Sequence, residues 1–341
     1  MIREITLKRD RLLGETIETV YIGGGTPSLL PPATISRFWN AIQDAFPDIN
    51  LLEFTLEANP DDLTPEYLQA LRRTPVNRLS IGIQSFRDAD LKFMNRAHHA
   101  GQALRAIHAA RDAGFENLTA DLIYGLPDMP LAAWHDNLDT LLELNIPHFS
   151  AYALTVEPKT ALHHAVAQKK AAPTDSEHQA EAFLLLARRS AEAGYQQYEI
   201  SNFALPGHYA VHNTAYWSGK KYLGIGPSAH SFDGYSRSWN VANNTLYAAA
   251  LLQRGQFEET TEVLTLSERT NEYIMTSLRT MWGLDIDRAE ALSAGGAKLQ
   301  IERNAQRYLA NGHMTQAGNI LTLTDEGKLF ADGIASDLFI D

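Results

Sequence analysis

The segment ETVYIGGGTPSLL at residues 18–30 gives the clearest indication of the fold, because a β-rich run passes directly into three consecutive glycines. Its first part, residues 18–24, contains β-branched and aromatic residues that favour a strand. Glycines 23–25 let the backbone adopt conformations closed to other residues and let a ligand approach closely. Because ligands in parallel α/β folds bind at the carboxyl ends of strands, this turn is a candidate binding loop. A tight turn without a ligand is the alternative, and neither a P-loop lysine nor a GxGxxG pattern is present.

Short apolar runs alternate with amphipathic stretches on both sides of this turn, which predicts a parallel sheet with right-handed crossovers. The predicted strands cover residues 18–24, 51–58, 77–84, 118–125 and 148–155, with a weaker one at 197–203. The predicted helices cover 34–46, 64–73, 101–114 and 132–145, with Thr64 as N-cap and Pro65 at the first helical position of the second. The fold class is therefore α/β, a partial (β/α)6 barrel. Residues 1–14 predict a helix before the first strand, so we expect a first barrel strand to be absent.

The pattern changes near residue 262, where three helical stretches precede a short strand, a turn and a further helix. This order predicts a small winged-helix-like module. We therefore expect three parts, a partial barrel at 1–205, a connecting segment at 206–261 and the C-terminal module at 262–341.

Composition narrows the function classes. A formal charge of −12 is unfavourable for nucleic-acid binding, which requires a basic face. No apolar run approaches the roughly 20 residues that cross a bilayer, and residues 1–14 lack a signal-peptide core, so we expect a cytoplasmic protein. The chain contains no cysteine, which excludes disulfides, thiol nucleophiles and cysteine-ligated clusters within it.

Polar residues follow several predicted strands. Because the carboxyl ends of parallel strands share one rim, we expect these side chains to surround one ligand with hydroxyl, ammonium and carboxylate groups. Each residue taken alone also fits a loop cap or a surface charge. The four residues are Glu57, Gln84, Arg96 and Asp121.

A second constellation is HYAVHNTAYW at 208–217. His208, His212 and Tyr216 are spaced by four, so on one helix they would share a face. A neutral imidazole is a common axial ligand of heme iron, and Tyr and Trp pack well on a planar macrocycle. The alternative is a buried, hydrogen-bonded histidine with the aromatic residues as core.

Other glycines and histidines give weaker signals. The segment 222–231, YLGIGPSAHS, predicts a tight loop, either beneath a ligand that His230 faces or as a plain turn between strands. We interpret the pairs His98-His99 and His163-His164 as solvated or helix-associated residues rather than metal ligands.

Taken in order, GGGTPSLL, EANPDDLT, RLSIGIQSF, NRAHH and DLIYGLP resemble the HemW heme chaperone family of radical-SAM proteins, which is close to the oxygen-independent coproporphyrinogen III oxidases. The resemblance covers essentially the whole chain. It implies S-adenosylmethionine (SAM) contacts for one set of residues, a heme site for a second set, and His212 as the candidate ligand of heme iron. The first set is Gly24, Gly25, Thr26, Glu57, Gln84, Arg96 and Asp121, and the second is His212, Asn213, Tyr216 and Trp217.

The family also carries a CxxxCxxC motif upstream of GGGTP that holds a [4Fe–4S] cluster, and this motif is absent here. We expect the chain to be a shortened form, with a natural cluster-less relative as the alternative. Without thiolates the chain as given is expected to be inactive in SAM cleavage.

The resemblance implies a heme chaperone that passes heme to acceptor proteins, including a membrane-associated acceptor, with SAM and the cluster as cofactors of the full form. An oxygen-independent coproporphyrinogen III oxidase is the alternative, and a SAM-binding relative without catalysis is a third hypothesis. The sequence leaves the acceptor and the oligomeric state open.

Overall fold

The computed structural model describes residues 1–340 and has an α/β architecture. The strands are β1 (Ile17–Ile22), β2 (Ile49–Ala58), β3 (Arg78–Gln84), β4 (Asn117–Tyr124), β5 (His148–Ala153), β6 (Gln196–Glu199), β7 (Asn202–Ala204), β8 (His230–Phe232), β9 (Ser236–Asn240), β10 (Glu259–Val263), β11 (Leu284–Asp285), β12 (Met314–Ala317) and β13 (Ile320–Leu323). The helices are α1 (Ile2–Leu7), α2 (Pro32–Ala45), α3 (Pro65–Leu71), α4 (Asp88–Phe93), α5 (Ala100–Asp112), α6 (Leu131–Glu143), α7 (Ala161–Ala167), α8 (Ser176–Glu192), α9 (Val211–Trp217), α10 (Asn244–Ala249), α11 (Leu266–Leu278), α12 (Ile286–Leu292), α13 (Ala297–Ala310), α14 (Asp325–Lys328) and α15 (Ala331–Leu338).

The main sheet has seven strands in the order β1-β2-β3-β4-β5-β7-β6. Strands β2 to β5 pair in parallel, as predicted from the alternation of strands and helices. The single weak strand predicted at 197–203 was wrong in detail, because this segment forms the antiparallel pair β6 and β7, and β7 also runs antiparallel to β5. The predicted α/β partial barrel is confirmed, with a hairpin at its far edge.

Local chemistry explains where the helices of the sheet region begin and end. The Thr64 side chain accepts a hydrogen bond from the backbone N–H of Tyr67, and Pro65 occupies the first position of α3. Helix α5 ends at Asp112, and Gly114 then turns the chain with a φ of +88°. These caps confirm the predicted boundaries to within a few residues.

The chain divides into two compact units. One comprises residues 22–29 and 55–209, and the other comprises residues 1–21, 30–54 and 210–341. This division differs from the predicted ranges 1–205, 206–261 and 262–341, because the N-terminal helix belongs to the same unit as the C-terminal half of the chain.

The unit at 22–29 and 55–209 has an apolar core that also contains buried, hydrogen-bonded polar side chains. Phe149 on β5 stacks on Phe203 on β7 with ring centroids 4.8 Å apart. Nearby, His148 is 1% exposed, and its two ring nitrogens contact the hydroxyl groups of Thr119 and Tyr198. Burial lowers the pKa of His148 well below its usual value, so the ring is neutral in the folded protein.

The other unit contains a buried ion pair on α1. Glu4 and Lys8 lie one turn apart, are almost fully buried, and form a salt bridge of 3.0 Å. Glu4 also accepts hydrogen bonds from the Gly226 backbone N–H and the Asn240 side chain. Because a buried charge is costly without partners, this network fixes α1 against the segment that contains residues 226 and 240.

The C-terminal part of this unit contains the predicted three helices, α11, α12 and α13, followed by the hairpin β12–β13 and by α14 and α15. Strand β11 adds a third strand to the hairpin, which the sequence did not predict because it is two residues long. A capping box between Thr265 and Glu268 begins α11.

Among residues 1–340, no helix combines the length and apolar character needed to cross a membrane.

Candidate functional sites

The glycine turn after β1 opens the first candidate site. Gly24 and Gly25 adopt φ angles of +79° and +63°, and open space surrounds the position of a Cβ at each. Glycine is thus required there by backbone conformation rather than by space. The Gly24 backbone N–H donates to Oε2 of Glu57 at 2.9 Å, which joins the turn to the end of β2.

A second contact fixes the same turn. The Ser28 hydroxyl donates to the Asp62 carboxylate at 2.6 Å and accepts from the Asn59 backbone N–H at 3.2 Å. Both partners follow β2, so the glycine turn is fixed to the loop at the carboxyl end of the neighbouring strand.

The end of β3 has an unusual backbone. Gln84 adopts a φ of +66°, which is uncommon for a residue with a side chain and indicates local strain. A Cβ at Gly82 would lie 2.9 Å from the Gln84 side-chain nitrogen and 3.3 Å from a guanidinium nitrogen of Arg96. The absence of a side chain at Gly82 therefore leaves space that the side chains of Gln84 and Arg96 both approach.

Among the candidate residues of this site, Arg96 has a buried side-chain donor that is left unused. Its Nη2 donates to the side-chain oxygen of Asn59 at 2.7 Å and to the Gly82 carbonyl at 3.2 Å, and both acceptors are neutral. Its Nε is buried without a hydrogen-bond partner among the described residues, and the charge of Asp61 acts on the guanidinium without forming a salt bridge to it. A half-buried guanidinium with unused donors fits a ligand that supplies a carboxylate.

Asp121 on β4 supplies a carboxylate to the same region. It accepts a hydrogen bond of 3.0 Å from the Ser80 hydroxyl. Burial, assisted by the negative charge of Glu57, raises its pKa to about 6, against the opposing effect of the hydrogen bonds from Ser80 and Ser150. A desolvated carboxylate of this kind accepts readily from ligand hydroxyl groups.

Most of the residues predicted at the strand ends are therefore connected. Gly24 contacts Glu57, Gln84 and Arg96 share the space above Gly82, and the charge of Glu57 acts on Asp121. We call Gly24, Glu57, Gln84, Arg96 and Asp121 the polar cradle. Sequence reasoning missed Asn59 and Gly82, although both lie inside the motifs EANPDDLT and RLSIGIQSF.

The polar cradle fits SAM but the chain does not fit an iron–sulfur cluster. The unused donors of Arg96 match a methionyl carboxylate, and Asp121 matches ribose hydroxyls. A [4Fe–4S] cluster requires thiolates, and the 341-residue sequence contains no cysteine.

Helix α9 carries the second candidate site. Glu53 on β2 is 1% exposed, and its two carboxylate oxygens accept from the backbone N–H groups of Val211 (2.8 Å) and His212 (3.2 Å). These N–H groups lie in the first turn of α9, where no intrahelical acceptor exists. Glu53 therefore fixes the start of the helix, and it was not predicted because it is 158 positions away from Val211.

His212 is held on three sides. Its Nδ1 lies 2.7 Å from the Thr19 hydroxyl on β1. Its ring stacks on Tyr21 with centroids 5.0 Å apart and meets Tyr216 edge to face at 4.9 Å. Burial lowers the pKa of His212, with Glu53 acting in the opposite direction, so the imidazole is neutral near pH 7.

The ring contacts continue beyond α9. Tyr216 meets Tyr222 at 4.6 Å, and Tyr222 approaches Phe232 at 6.1 Å. We call Tyr21, His212, Tyr216 and Tyr222 the aromatic row. Tyr21 and Tyr216 are 41% and 44% exposed, so the row offers flat apolar surface to a ligand beside a neutral imidazole.

The other two predicted heme residues contact each other. Nε1 of Trp217 donates to the Asn213 side-chain oxygen at 3.0 Å, and the Arg279 guanidinium lies 5.4 Å from the Trp217 ring centre. The spacing of four that joins His212 to Tyr216 thus also joins Asn213 to Trp217 on the adjacent face. This second pair is occupied by contacts within the protein.

Two histidine predictions need correction. Helix α9 begins at Val211, so His208 precedes the helix and does not share its face with His212 and Tyr216. His98 is not solvated, since it is 3% exposed and its Nε2 contacts the Ile83 carbonyl at 3.0 Å. His99 is exposed and caps α5, while His163 and His164 lie exposed on α7, as expected.

The glycine loop at 222–231 is fixed by the protein itself. A Cβ at Gly224 would lie 2.1 Å from the His230 carbonyl oxygen, and Gly226 binds Glu4. His230 is exposed and stacks on Trp239 with centroids 5.8 Å apart. Of the two interpretations, these contacts favour a structural turn.

One group of potential metal ligands lies on α6 outside both sites, at His135, Asp136 and Asp139. The Arg189 guanidinium contacts His135 and Asp139 directly. Its positive charge already neutralises this group and opposes a metal ion.

Comparisons with known proteins agree with the fold. The sequence model of the radical SAM superfamily matches residues 3–141. The chain is 35% identical to the heme chaperone HemW of Bacillus subtilis (strain 168) over 320 residues, covering 93% of this chain and 84% of that relative. It is 30% identical to the heme chaperone HemW of Escherichia coli (strain K12), covering 96% of this chain and 85% of the relative. Among solved structures, coproporphyrinogen III oxidase (HemN) of Escherichia coli, a radical SAM enzyme, matches with a TM-score of 0.83 at 22% identity, covering 99% of this chain and 81% of that chain. At that identity the match shows the fold alone.

Proposed function

Because this chain belongs to the HemW heme chaperone family of the radical SAM superfamily, we propose that it binds heme and transfers it to acceptor proteins. The relatives of the same name are 30–35% identical to it over 93–98% of its length. The family resemblance stated from the sequence is thereby confirmed. Which residues bind heme is part of the proposal, and the geometry around His212 on α9 supports it.

The observation that carries the proposal is the environment of His212. The ring is neutral, is held by Thr19, Tyr21 and Tyr216, and lies in a row of partly exposed aromatic side chains. Heme requires an axial ligand and flat apolar contacts, and one helix and one strand supply both. In this proposal His212 ligates the iron and the aromatic row packs on the macrocycle.

The polar cradle is proposed to bind SAM. Arg96 would hold the methionyl carboxylate, Glu57 and Gln84 the amine and neighbouring polar groups, and Asp121 the ribose hydroxyls. Gly24, Gly25 and Thr26 would approach the methionyl part through their backbone. The unused Nε of Arg96 is the observation that supports this assignment. Bound SAM supplies a sulfonium group and a carboxylate, and the residues of this chain bind and orient it.

The alternative function, an oxygen-independent coproporphyrinogen III oxidase, receives less support. That reaction depends on a [4Fe–4S] cluster, for which this chain supplies no cysteine. The structural match to the oxidase shows the fold and does not extend to its activity. The aromatic row around His212 is what a heme carrier requires.

The proposal also includes a cellular location and a class of partner. The expected setting is the cytoplasm, and the expected partners are heme-acceptor proteins, including a membrane-associated one. The formal charge of −12 makes nucleic acid an unfavourable partner.

A heme titration tests the proposal. Hemin is added to the purified chain and to His212→Ala, and the Soret band is followed. His163→Ala, an exposed histidine on α7, serves as the matched control. We expect saturable binding by the parent and the control, and loss or a spectral change in His212→Ala. Equal binding and equal spectra in all three proteins would contradict His212 as the ligand.

A further inference from the structure

The hydrogen bond between Thr19 and His212 limits which ring nitrogen of this histidine can bind iron. Thr19 Oγ1 lies 2.7 Å from Nδ1, so this nitrogen is already engaged. The structure records no hydrogen bond to Nε2 within residues 1–340, and Nε2 is absent from the buried polar atoms that lack a partner. Nε2 is therefore the ring nitrogen that remains open to a ligand.

Ligand chemistry then determines the position of the proton. A neutral imidazole carries one N–H and one lone pair, and iron binds the lone pair. If iron binds at Nε2, the proton must be on Nδ1, where it donates to the Thr19 oxygen. A histidine that ligates a metal commonly donates its other N–H to a neighbouring acceptor, which fixes the ring and raises its basicity.

The surrounding rings fix the direction of Nε2. Tyr21 is nearly parallel to the imidazole, at 19°, and Tyr216 is nearly perpendicular to it, at 87°. These contacts limit rotation of the ring about its Cβ–Cγ bond. Thr19 and Tyr21 are separated by one residue on β1, so they project from the same face of the strand.

We infer that Thr19 is a positioning residue of the heme site, whose hydroxyl oxygen accepts the Nδ1 proton of His212 and leaves Nε2 to ligate the iron. The inference rests on the proposed heme-binding function and assigns a role to a residue outside the stretch HYAVHNTAYW at 208–217. Thr19 lies 193 positions before His212, so no local sequence pattern connects them.

The first test uses the heme-free protein. Nitrogen-15 NMR of the histidine rings, assigned with His212→Ala, reports which ring nitrogen carries the proton. We expect a protonated Nδ1 and an unprotonated Nε2 in the parent, and a shift toward the other tautomer in Thr19→Val. A proton on Nε2 of the parent would overturn the inference, whatever the protein does with heme.

The second test compares two substitutions at the same position. Thr19→Ser keeps the hydroxyl, while Thr19→Val removes it and keeps a β-branched side chain that suits the strand. Loss of such an outer-sphere partner commonly weakens metal binding about 10- to 100-fold. We expect a loss in this range for hemin with Thr19→Val, with an altered electron paramagnetic resonance spectrum of the ferric heme, and near-parent values with Thr19→Ser.

The variants at positions 19 and 212 distinguish the role of Thr19 from heme binding itself. Equal hemin affinity and spectra in Thr19→Val and the parent would overturn the role of Thr19, while His212→Ala would still report on heme binding itself. If His212→Ala binds hemin like the parent, the proposed site fails, and the tautomer measured without heme remains an independent result about Thr19.

Discussion

The polar cradle and the aromatic row are built from different parts of the chain and by different chemistry. The cradle uses charged and amide side chains at or near the carboxyl ends of β2, β3 and β4, with a guanidinium that keeps an unused donor. The aromatic row uses one neutral histidine between phenol rings, with a single hydroxyl contact to Nδ1. The first suits a small zwitterion with hydroxyl groups, and the second suits a large flat ligand with a metal at its centre.

This difference also predicts which substitutions should weaken ligand binding at each site. In the proposed SAM site binding would depend on charge, so the loss of one charged group should weaken binding of the small ligand strongly and leave heme binding unaffected. In the proposed heme site binding would depend on the position of one ring, so substitution of residues that fix α9 and His212 should weaken heme binding alone. Substitutions that weaken the binding of only one of the two ligands would support two separate sites, and substitutions that weaken the binding of both would argue against them.

The largest effect is expected from Arg96→Ala. Its guanidinium is half-buried and has unused donors, and a hydrogen bond to a charged group contributes about 1.5–3 kcal/mol. Affinity for S-adenosylhomocysteine, a stable analogue of SAM, should fall roughly 10- to 100-fold in calorimetric titration. Arg96→Lys should recover part of the loss, because it restores the charge without the two-pronged geometry. Unchanged affinity in Arg96→Ala would remove Arg96 from the site.

The next effect is expected from Glu53→Gln. The carboxylate accepts from two backbone N–H groups of α9, and a glutamine has only one acceptor oxygen. Leaving a buried donor without a partner costs about 1–3 kcal/mol of the free energy of unfolding, which urea denaturation would measure. Hemin affinity should fall at the same time.

Glu18→Gln is the matched control for Glu53→Gln. Glu18 pairs with Lys220 at the surface, where an ion pair contributes about 0–1 kcal/mol. A similar loss of stability in the two variants would contradict the special role of Glu53.

A smaller effect of opposite sign is expected from Asp121→Asn. The pKa of Asp121 is raised from 3.8 to about 6, so the folded state disfavours the ionised carboxylate. Stability contributed by the protonated form is present below pH 3.8 and is lost as pH rises through 6. At pH 7 the variant should be more stable by about 1–2 kcal/mol, since one pKa unit equals about 1.4 kcal/mol and partial exposure reduces the effect.

Unfolding of Asp121→Asn at pH 7 and pH 3.5 gives the measurement. The gain should disappear at the lower pH, and exposed Asp128→Asn should show no gain at either value. The stabilised variant should bind S-adenosylhomocysteine more weakly, because the carboxylate that accepts ribose hydroxyls is gone. A loss of stability at pH 7 would contradict the raised pKa.

The smallest effect is expected at the glycine turn. Gly24 has a φ of +79°, so Gly24→Ala should reduce the free energy of unfolding by about 1 kcal/mol. Gly23 is not among the glycines with positive φ, so Gly23→Ala is a neighbouring control that lacks the cost of a left-handed backbone. Differential scanning calorimetry would compare the two. Equal melting temperatures would show that the turn relaxes without strain.

The sequence identified all five residues of the cradle as candidates, but only His212 and Tyr216 of the aromatic row. Gln84 ends β3, Glu57 is the penultimate residue of β2, and Asp121 lies three residues before the end of β4, so all three lie toward the rim where the carboxyl ends of parallel strands meet. Asn59 and Gly82 were missed because their roles depend on where the Arg96 side chain lies. Thr19 and Glu53 were missed because contacts over more than 150 positions leave no local pattern.

His208 shows a different limit of sequence analysis, because its spacing wrongly predicted a place on the helix face. A spacing of four predicts a shared helical face only inside a helix, and α9 begins at Val211. The antiparallel hairpin of β6 and β7 was likewise hidden, because its two strands have four and three residues and read as one weak run. Short elements are specified by their packing more than by their own sequence.

The most direct test of the account is a crossed titration. Hemin and S-adenosylhomocysteine are each titrated into His212→Ala and Arg96→Ala, with folding of both variants checked by circular dichroism. His212→Ala should lose hemin binding and keep binding of the nucleoside ligand, and Arg96→Ala should do the reverse. Hemin binding that survives in His212→Ala but is lost in Arg96→Ala would contradict a heme site built on α9.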